Sequence, residues 1–203
     1  MTRRSLLNLL SKQEQQLPQV WGWYEFQRTL VGEEKRRVRD ALAGGSSPLP
    51  SRYFGKTPEE LEDDFTYQAS ELAQLTMLGM LACTEAALRI DFIERVAKKR
   101  KDQVSRRFRE TYRKRGIEKV RLEEDILDTW GKHGASDFVR SSVAEFKGAL
   151  NLRHWLAHGR YWKPKLGRAA GYAPGGVFDI CLGLLQTVGW MPADVPRSPF
   201  SEA

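Results

Sequence analysis

The chain has 203 residues, with 33 Lys and Arg against 26 Asp and Glu for a formal charge of +7, and is 41% hydrophobic and 29% charged. These figures suit one domain of ordinary size and exclude a disordered chain; no run approaches the roughly 18 uncharged apolar residues needed to span a bilayer, so no membrane partner is expected. Two cysteines, Cys83 and Cys181, are too few for a disulfide framework or a four-cysteine zinc site and read as buried thiols of a cytoplasmic protein.

Apolar spacing is helical nearly everywhere, and only the short stretch Val20 to Phe26 alternates as a strand would. The expectation is an all-α antiparallel helical bundle with a long basic helical segment. Thr2-Arg3-Arg4-Ser5-Leu6-Leu7 has the outline of a twin-arginine export signal, but Asn8, Ser11, Lys12, Gln13 and Glu14 interrupt the apolar region such a signal needs. A first helix is predicted from Arg4 to Gln16, stopping before Pro18, and a second from Tyr24 to Ala43, ending at Gly44-Gly45. The segment Gly44 to Ser51 has linker chemistry, so residues 1–51 are taken as an N-terminal helical segment with its linker.

Thr57-Pro58-Glu59-Glu60 supplies an N-cap, a first-turn proline and a capping-box glutamate. The helix it opens meets no breaker strong enough to stop it before the basic run and Gly116. At about 1.5 Å per residue it would outgrow the domain, so a bend or break is expected near Arg100. A short acidic helix follows from Leu122 to Trp130, then a turn at Gly131 to Gly134. Ser136 caps a helix reaching about His158, where Gly159 can adopt the left-handed cap conformation. Arg160 to Gly176 reads as a loop, Val177 to about Val188 as a final apolar helix, and 191–203 as an irregular tail around Pro192, Pro196 and Pro199. Residues 52–190 thus form the main helical domain.

The charge is local. Arg95 to Arg121 holds thirteen basic residues and three acids, a net +10 that leaves the rest of the chain at −3. Such a run suits a polyanion-binding element, and Lys98, Lys99, Arg100, Arg106, Arg107, Arg109, Arg113, Lys114 and Arg115 are its candidate RNA contacts. A solvated helix face is the plain alternative. Phe108 and Tyr112, four apart, either stack on bases or anchor the segment to the core.

Chemistry concentrates further on. Met77, Leu81, Glu85, Leu88, Phe92 and Val96 are spaced by 4, 4, 3, 4 and 4, so Glu85 lies within an apolar helical stripe. A carboxylate facing a core needs a partner, and Arg153 is nominated. Two of the three histidines stand in Asn151-Leu152-Arg153-His154-Trp155-Leu156-Ala157-His158-Gly159.

Arg153, the polar His154, three residues and then His158 resemble the R-x4-6-H motif of HEPN domains, small helical bundles found in many prokaryotic defence and toxin–antitoxin ribonucleases. Ala157-His158-Gly159 is similar to the family's usual ending of that motif, and Glu85-Ala86-Ala87-Leu88-Arg89 to an acidic position on an earlier long helix in some branches. The resemblance spans roughly Thr57 to Gly189. It implies metal-independent RNA cleavage, with no cofactor, in which a ribose 2′-oxygen attacks the adjacent phosphorus and leaves a 2′,3′-cyclic phosphate. His158 would exchange protons at neutral pH, Arg153 would hold the phosphate oxygens as charge builds, His154 would orient substrate, and Glu85 would orient the arginine. Family practice also implies a homodimer with the motif at the two-fold interface, and a role as toxin or antiphage effector with an antitoxin or defence partner.

Five residues on a regular helix are about 140° apart, so Arg153 and His158 share a site only if the helix ends near His158 or a second chain completes it. Other readings stand beside this one. The plain alternative for Arg153 and Glu85 is to stiffen the bundle, and for His158 to interact with the helix dipole. His154 and His158, about 40° apart, have the spacing of a metal clamp, without a third ligand in view. Tyr161, Trp155 and Trp162 suit base stacking or a dimer contact, while Glu123, Glu124, Asp125 and Asp128 read as a solvated face. A non-catalytic RNA- or nucleotide-binding or partner-binding subunit is the alternative function, and a DNA-binding regulator using the basic helix a weaker third.

Overall fold

A computed structural model describes residues 3–45, 48–160, 162 and 172–196. These contain seven α-helices and no strand: α1 (Arg3–Leu7), α2 (Leu17–Leu42), α3 (Pro58–Lys98), α4 (Gln103–Arg115), α5 (Asp128–His133), α6 (Asp137–Ala157) and α7 (Pro174–Thr187). No helix among them is long and apolar enough to cross a membrane.

The first helix is shorter than the sequence predicts, and Pro18 begins α2 rather than ending α1. Proline fits the first helical turn because its missing N–H has no partner there in any case; the Gln16 backbone N–H is taken up by the Gln19 side chain at 3.1 Å. The alternating stretch Val20 to Phe26 is accordingly helical, with Trp21 and Tyr24 buried three apart.

The backbone of the bundle is α3, 41 residues and about 60 Å long. Its start is as predicted: the Thr57 hydroxyl accepts from the Glu60 N–H at 3.2 Å, and the Glu60 carboxylate accepts from the Thr57 N–H at 2.8 Å. Antiparallel α2 lies along it, joined by Arg39 to Glu62 at 2.9 Å and by Val20 against Gly79. The Gly44 to Ser51 segment therefore connects two packed helices. Val38, Tyr53, Leu61 and Phe65 form a small core at that end, and α3, α4, α6 and α7 enclose the large one, in which Met80, Leu88, Phe108, Phe146 and Leu184 are fully buried.

The expected break falls at Lys99, whose φ of 51° is left-handed, and α4 folds back onto α3, with Phe92 and Phe108 ring centroids 4.9 Å apart. Asp102 caps α4 by accepting from the Ser105 N–H at 2.9 Å. Arg95 pins this reversal. Its Nε lies 2.7 Å from both oxygens of Asp91, its other nitrogens reach Asp102, Ser105 and the Val188 carbonyl at 3.3 to 3.4 Å, and its guanidinium lies 4.6 Å from the Trp130 ring centroid.

The acidic segment differs from expectation. Leu122–Leu127 is a π-helical turn leading into α5, and Asp125 is buried, not solvated. Its carboxylate accepts from the Arg121 N–H at 2.9 Å and pairs with Arg115 at 3.3 Å, satisfying donors that the widened turn leaves free. Asp128 pairs with Lys147 and Lys132. The predicted turn at Gly131 starts three residues later, at Gly134. Both cysteines are buried, with their thiols directed at the Met80 carbonyl. Most of the Arg160 to Gly176 loop, Tyr161 within it, and Pro199 with the end of the tail lie outside the described residues.

Candidate functional site

The stripe on α3 explains where Glu85 sits. Met77, Leu81, Leu88, Phe92 and Val96 are buried, while Glu85 stands at the stripe's edge beneath antiparallel α6. One carboxylate oxygen forms an ion pair with Arg153 Nη2 at 3.0 Å, the pairing nominated from the sequence, and the other accepts from Arg89 Nε at 2.9 Å. Arg89 in turn donates to the Val120 carbonyl at 3.2 Å. With both oxygens engaged, Glu85 is placed to orient arginines, not to take up a proton.

Arg153 is held but not enclosed. Its side chain is 37% exposed and faces an open groove of about 310 Å³, floored by Leu122 and Leu150 and walled by Asn151 and His154. Glu123 and Glu124, acids that the sequence reading assigns to a solvated face, also line it. Arg153 Nε is buried and has no hydrogen-bond partner among the described residues, so that donor is unmatched beneath the exposed part of the side chain.

The end of α6 sets the histidines. The helix stops at Ala157, His158 occupies the C-cap, and Gly159 takes φ 78°, as its position predicts. The Arg160 N–H closes the turn onto the Trp155 carbonyl at 3.2 Å, six residues back to first, a Schellman closure. His154 and His158, both exposed, have ring centroids 4.3 Å apart, and Trp162 lies 5.6 and 6.2 Å from them. Trp162 is held there by Trp155, whose Nε1–H donates to its carbonyl at 2.8 Å.

Within one chain Glu85, Arg153 and His154 therefore share the groove, and His158 joins them through its contact with His154 without lining the groove itself. Among the described residues no three His, Cys, Asp or Glu side chains gather to hold a metal ion.

Arg160 is the residue the sequence reading missed. Its guanidinium bonds Gln74 and both oxygens of Glu71 on α3, one of them at 2.9 Å, and this contact holds the Glu71 carboxyl below its ordinary value. The Gly159 cap marks the helix end, but no local pattern tells how far the next side chain reaches.

The basic run divides once its partners are seen. Arg95 is buried, Lys98 pairs with Glu94 at 2.6 Å, Arg107 with Glu110 at 2.8 Å, and Arg115 with Asp125. Arg109 donates to the Arg100 carbonyl at 2.7 Å. Lys99, Arg100, Arg106, Arg113 and Lys114 are exposed and make no salt bridge among the described residues. Phe108 is fully buried between Phe92 and Trp130, which removes it as a stacking platform, whereas Tyr112 is half-buried at the surface of α4. No family model, curated protein or solved structure matches the chain.

Proposed function

We propose that this chain is a metal-independent endoribonuclease of the HEPN type, working as a toxin or antiphage effector. The observation that carries the reading is Arg153, fastened to Glu85 at 3.0 Å yet open to a groove that His154 also lines. A permanent cation whose side chain is 37% exposed to that groove suits the phosphate oxygens of a phosphodiester as negative charge develops on them. His158, beside His154 and open to solvent, moves the proton: a neutral imidazole accepts it from the ribose 2′-hydroxyl, and an imidazolium returns one to the leaving 5′-oxygen.

A single chain has His154 in its groove and His158 beside it, one histidine short of an acid and a base both outside the Arg153 contact, so a second copy supplies the complementary group, and the partner is a homodimer. Its support is an apolar face beside the motif. Trp23, Phe26 and Leu30 are exposed along α2 at spacings of three and four, Leu75 and Tyr67 are exposed on α3, and Arg160 is anchored between these last two at Glu71 and Gln74. Isolated exposed apolar residues are ordinary, but a run of five on adjoining helices suits an interface.

The test is cleavage of single-stranded RNA in EDTA by the wild type and by His158→Ala. Fragments ending in 2′,3′-cyclic phosphate from the wild type alone are the expected result; dependence on a divalent ion, or full activity in the variant, would overturn it. Glu123 and Glu124 in the groove wall favour one second reading, a non-catalytic subunit whose groove receives a basic partner. RNA binding without cleavage under any condition selects that reading.

A further inference from the structure

The stacking role open to the basic arm has a single aromatic left for it, and that aromatic stands at a cavity. Between α1, the end of α3 and α4 lies a cavity of about 160 Å³ whose floor is the apolar surface of Leu6, Val96 and Ala97. Tyr112 forms one side. Its rim is made by Lys99, Arg109 and Arg113, with no carboxylate in the lining among the described residues.

The distribution of charge around it is uneven in a telling way. The arm's acids and their neighbours neutralise Lys98, Arg107, Arg115 and Arg121, all away from this cavity. Lys99 and Arg113 make no salt bridge among the described residues, and Arg109 is fixed at the rim by its 2.7 Å bond to a carbonyl, which satisfies a donor without cancelling the charge. The occupant that matches is a flat, uncharged ring joined to anionic groups on either side. At this size the cavity holds one ring, well below the roughly 300 Å³ of a site for a larger ligand.

We propose that this cavity is a nucleotide subsite that takes one unpaired base of single-stranded RNA against Tyr112 while Lys99, Arg109 and Arg113 hold the flanking phosphates. A base in a duplex has both faces covered by its neighbours and cannot enter, so the arm discriminates single strands from duplexes. The inference rests on the RNA-binding part of the proposed function and not on cleavage.

The test uses the full chain carrying His158→Ala, so that RNA survives the measurement, and fluorescence anisotropy with three probes of about 12 nucleotides. One is single-stranded RNA, one a duplex of that sequence, and one an oligonucleotide with abasic internal positions that keeps every phosphate. The single strand is expected to bind roughly 5- to 100-fold more tightly than the abasic probe. Tyr112→Ala should abolish that difference and Tyr112→Phe preserve it, the latter showing that the fold is intact. Arg113→Gln should weaken all three probes and lower the salt dependence by about one counterion. Equal binding of all three probes, or an equal loss on all three with Tyr112→Ala, overturns the subsite alone. No binding of any probe overturns the RNA reading itself, and the subsite with it.

Discussion

Arg95 and Arg153 each hold a carboxylate of α3, at 2.7 and 3.0 Å, yet the side chain of Arg95 is 9% exposed and that of Arg153 is 37% exposed. Arg95 pairs with Asp91 on its own helix and spends its remaining donors on Asp102, Ser105 and a backbone carbonyl, under the face of Trp130. Arg153 crosses from α6 to α3, meets one carboxylate oxygen, and presents the exposed part of its side chain to an open groove. A buried guanidinium whose bonds are all to its own chain serves the fold, and one partly exposed to an open groove is available to a ligand. Burial, helped by the nearby Glu94 charge, pushes the Asp91 carboxyl above its ordinary value despite Arg95, the mark of a pair whose desolvation is not fully repaid by attraction.

That contrast can be broken most directly at Arg95. Arg95→Ala leaves Asp91 buried and unpaired and should cost about 3–5 kcal/mol in urea unfolding; the double change Arg95→Met with Asp91→Leu should recover most of it. A loss below about 1 kcal/mol in the single variant would show that the knot is dispensable. Arg153→Ala should do the reverse, lowering RNA cleavage roughly 10²- to 10³-fold while moving stability by less than about 1 kcal/mol, as befits a half-exposed pair. If it unfolds the chain as Arg95→Ala does, the two arginines are alike and the distinction is lost.

Asp102 sharpens the picture at smaller scale. Burial pushes its carboxyl up, but hydrogen bonds from Ser105 and the charge of Arg95 outweigh this and leave it below its ordinary value. A depressed carboxyl contributes stability above its unfolded pKa of about 3.9 and loses it as pH falls through the lower folded value. Asp102→Ala should therefore cost about 1 kcal/mol at pH 7, the usual worth of an N-cap, with a difference from wild type that shrinks as pH falls below about 4 in acid titrations followed by circular dichroism. The smallest effect is expected at the cysteines, far from either arginine's chemistry. Burial raises the Cys83 thiol to about 11 and the Cys181 thiol higher still, so neither should react with a disulfide reagent at neutral pH in the folded chain. Their contribution to stability is present below the unfolded thiol value of about 8.5 and fades as pH rises through about 11.

What could be read beforehand was whatever is written locally. The Thr57 capping box and the Gly159 cap depend on neighbours a few residues apart, the break near Arg100 follows from a helix too long for its domain, and the Glu85–Arg153 pair follows because a carboxylate in an apolar stripe demands a counter-charge. Pro18 was misjudged because proline both ends and begins helices, and only the packing of Trp21 and Tyr24 decides which. Asp125, Phe108 and Arg95 carry no local mark of burial; their roles arise from α4 folding back onto α3, contacts made across a chain reversal. The grip of Arg160 on Glu71 and Gln74 bridges more than eighty residues and leaves no periodic trace.

That grip has a consequence for the histidines. Arg153 ties α6 to Glu85, and Arg160 ties the turn beyond it to Glu71, so the stretch carrying His154 and His158 is strung between two anchors on one unbroken helix. Helix ends ordinarily fray, and a catalytic group placed there would lose rotational freedom each time substrate arrived. Here the backbone's share of that entropy is surrendered once, when the chain folds, and under the proposed function the imidazoles would meet an incoming strand from a fixed backbone while still standing in water.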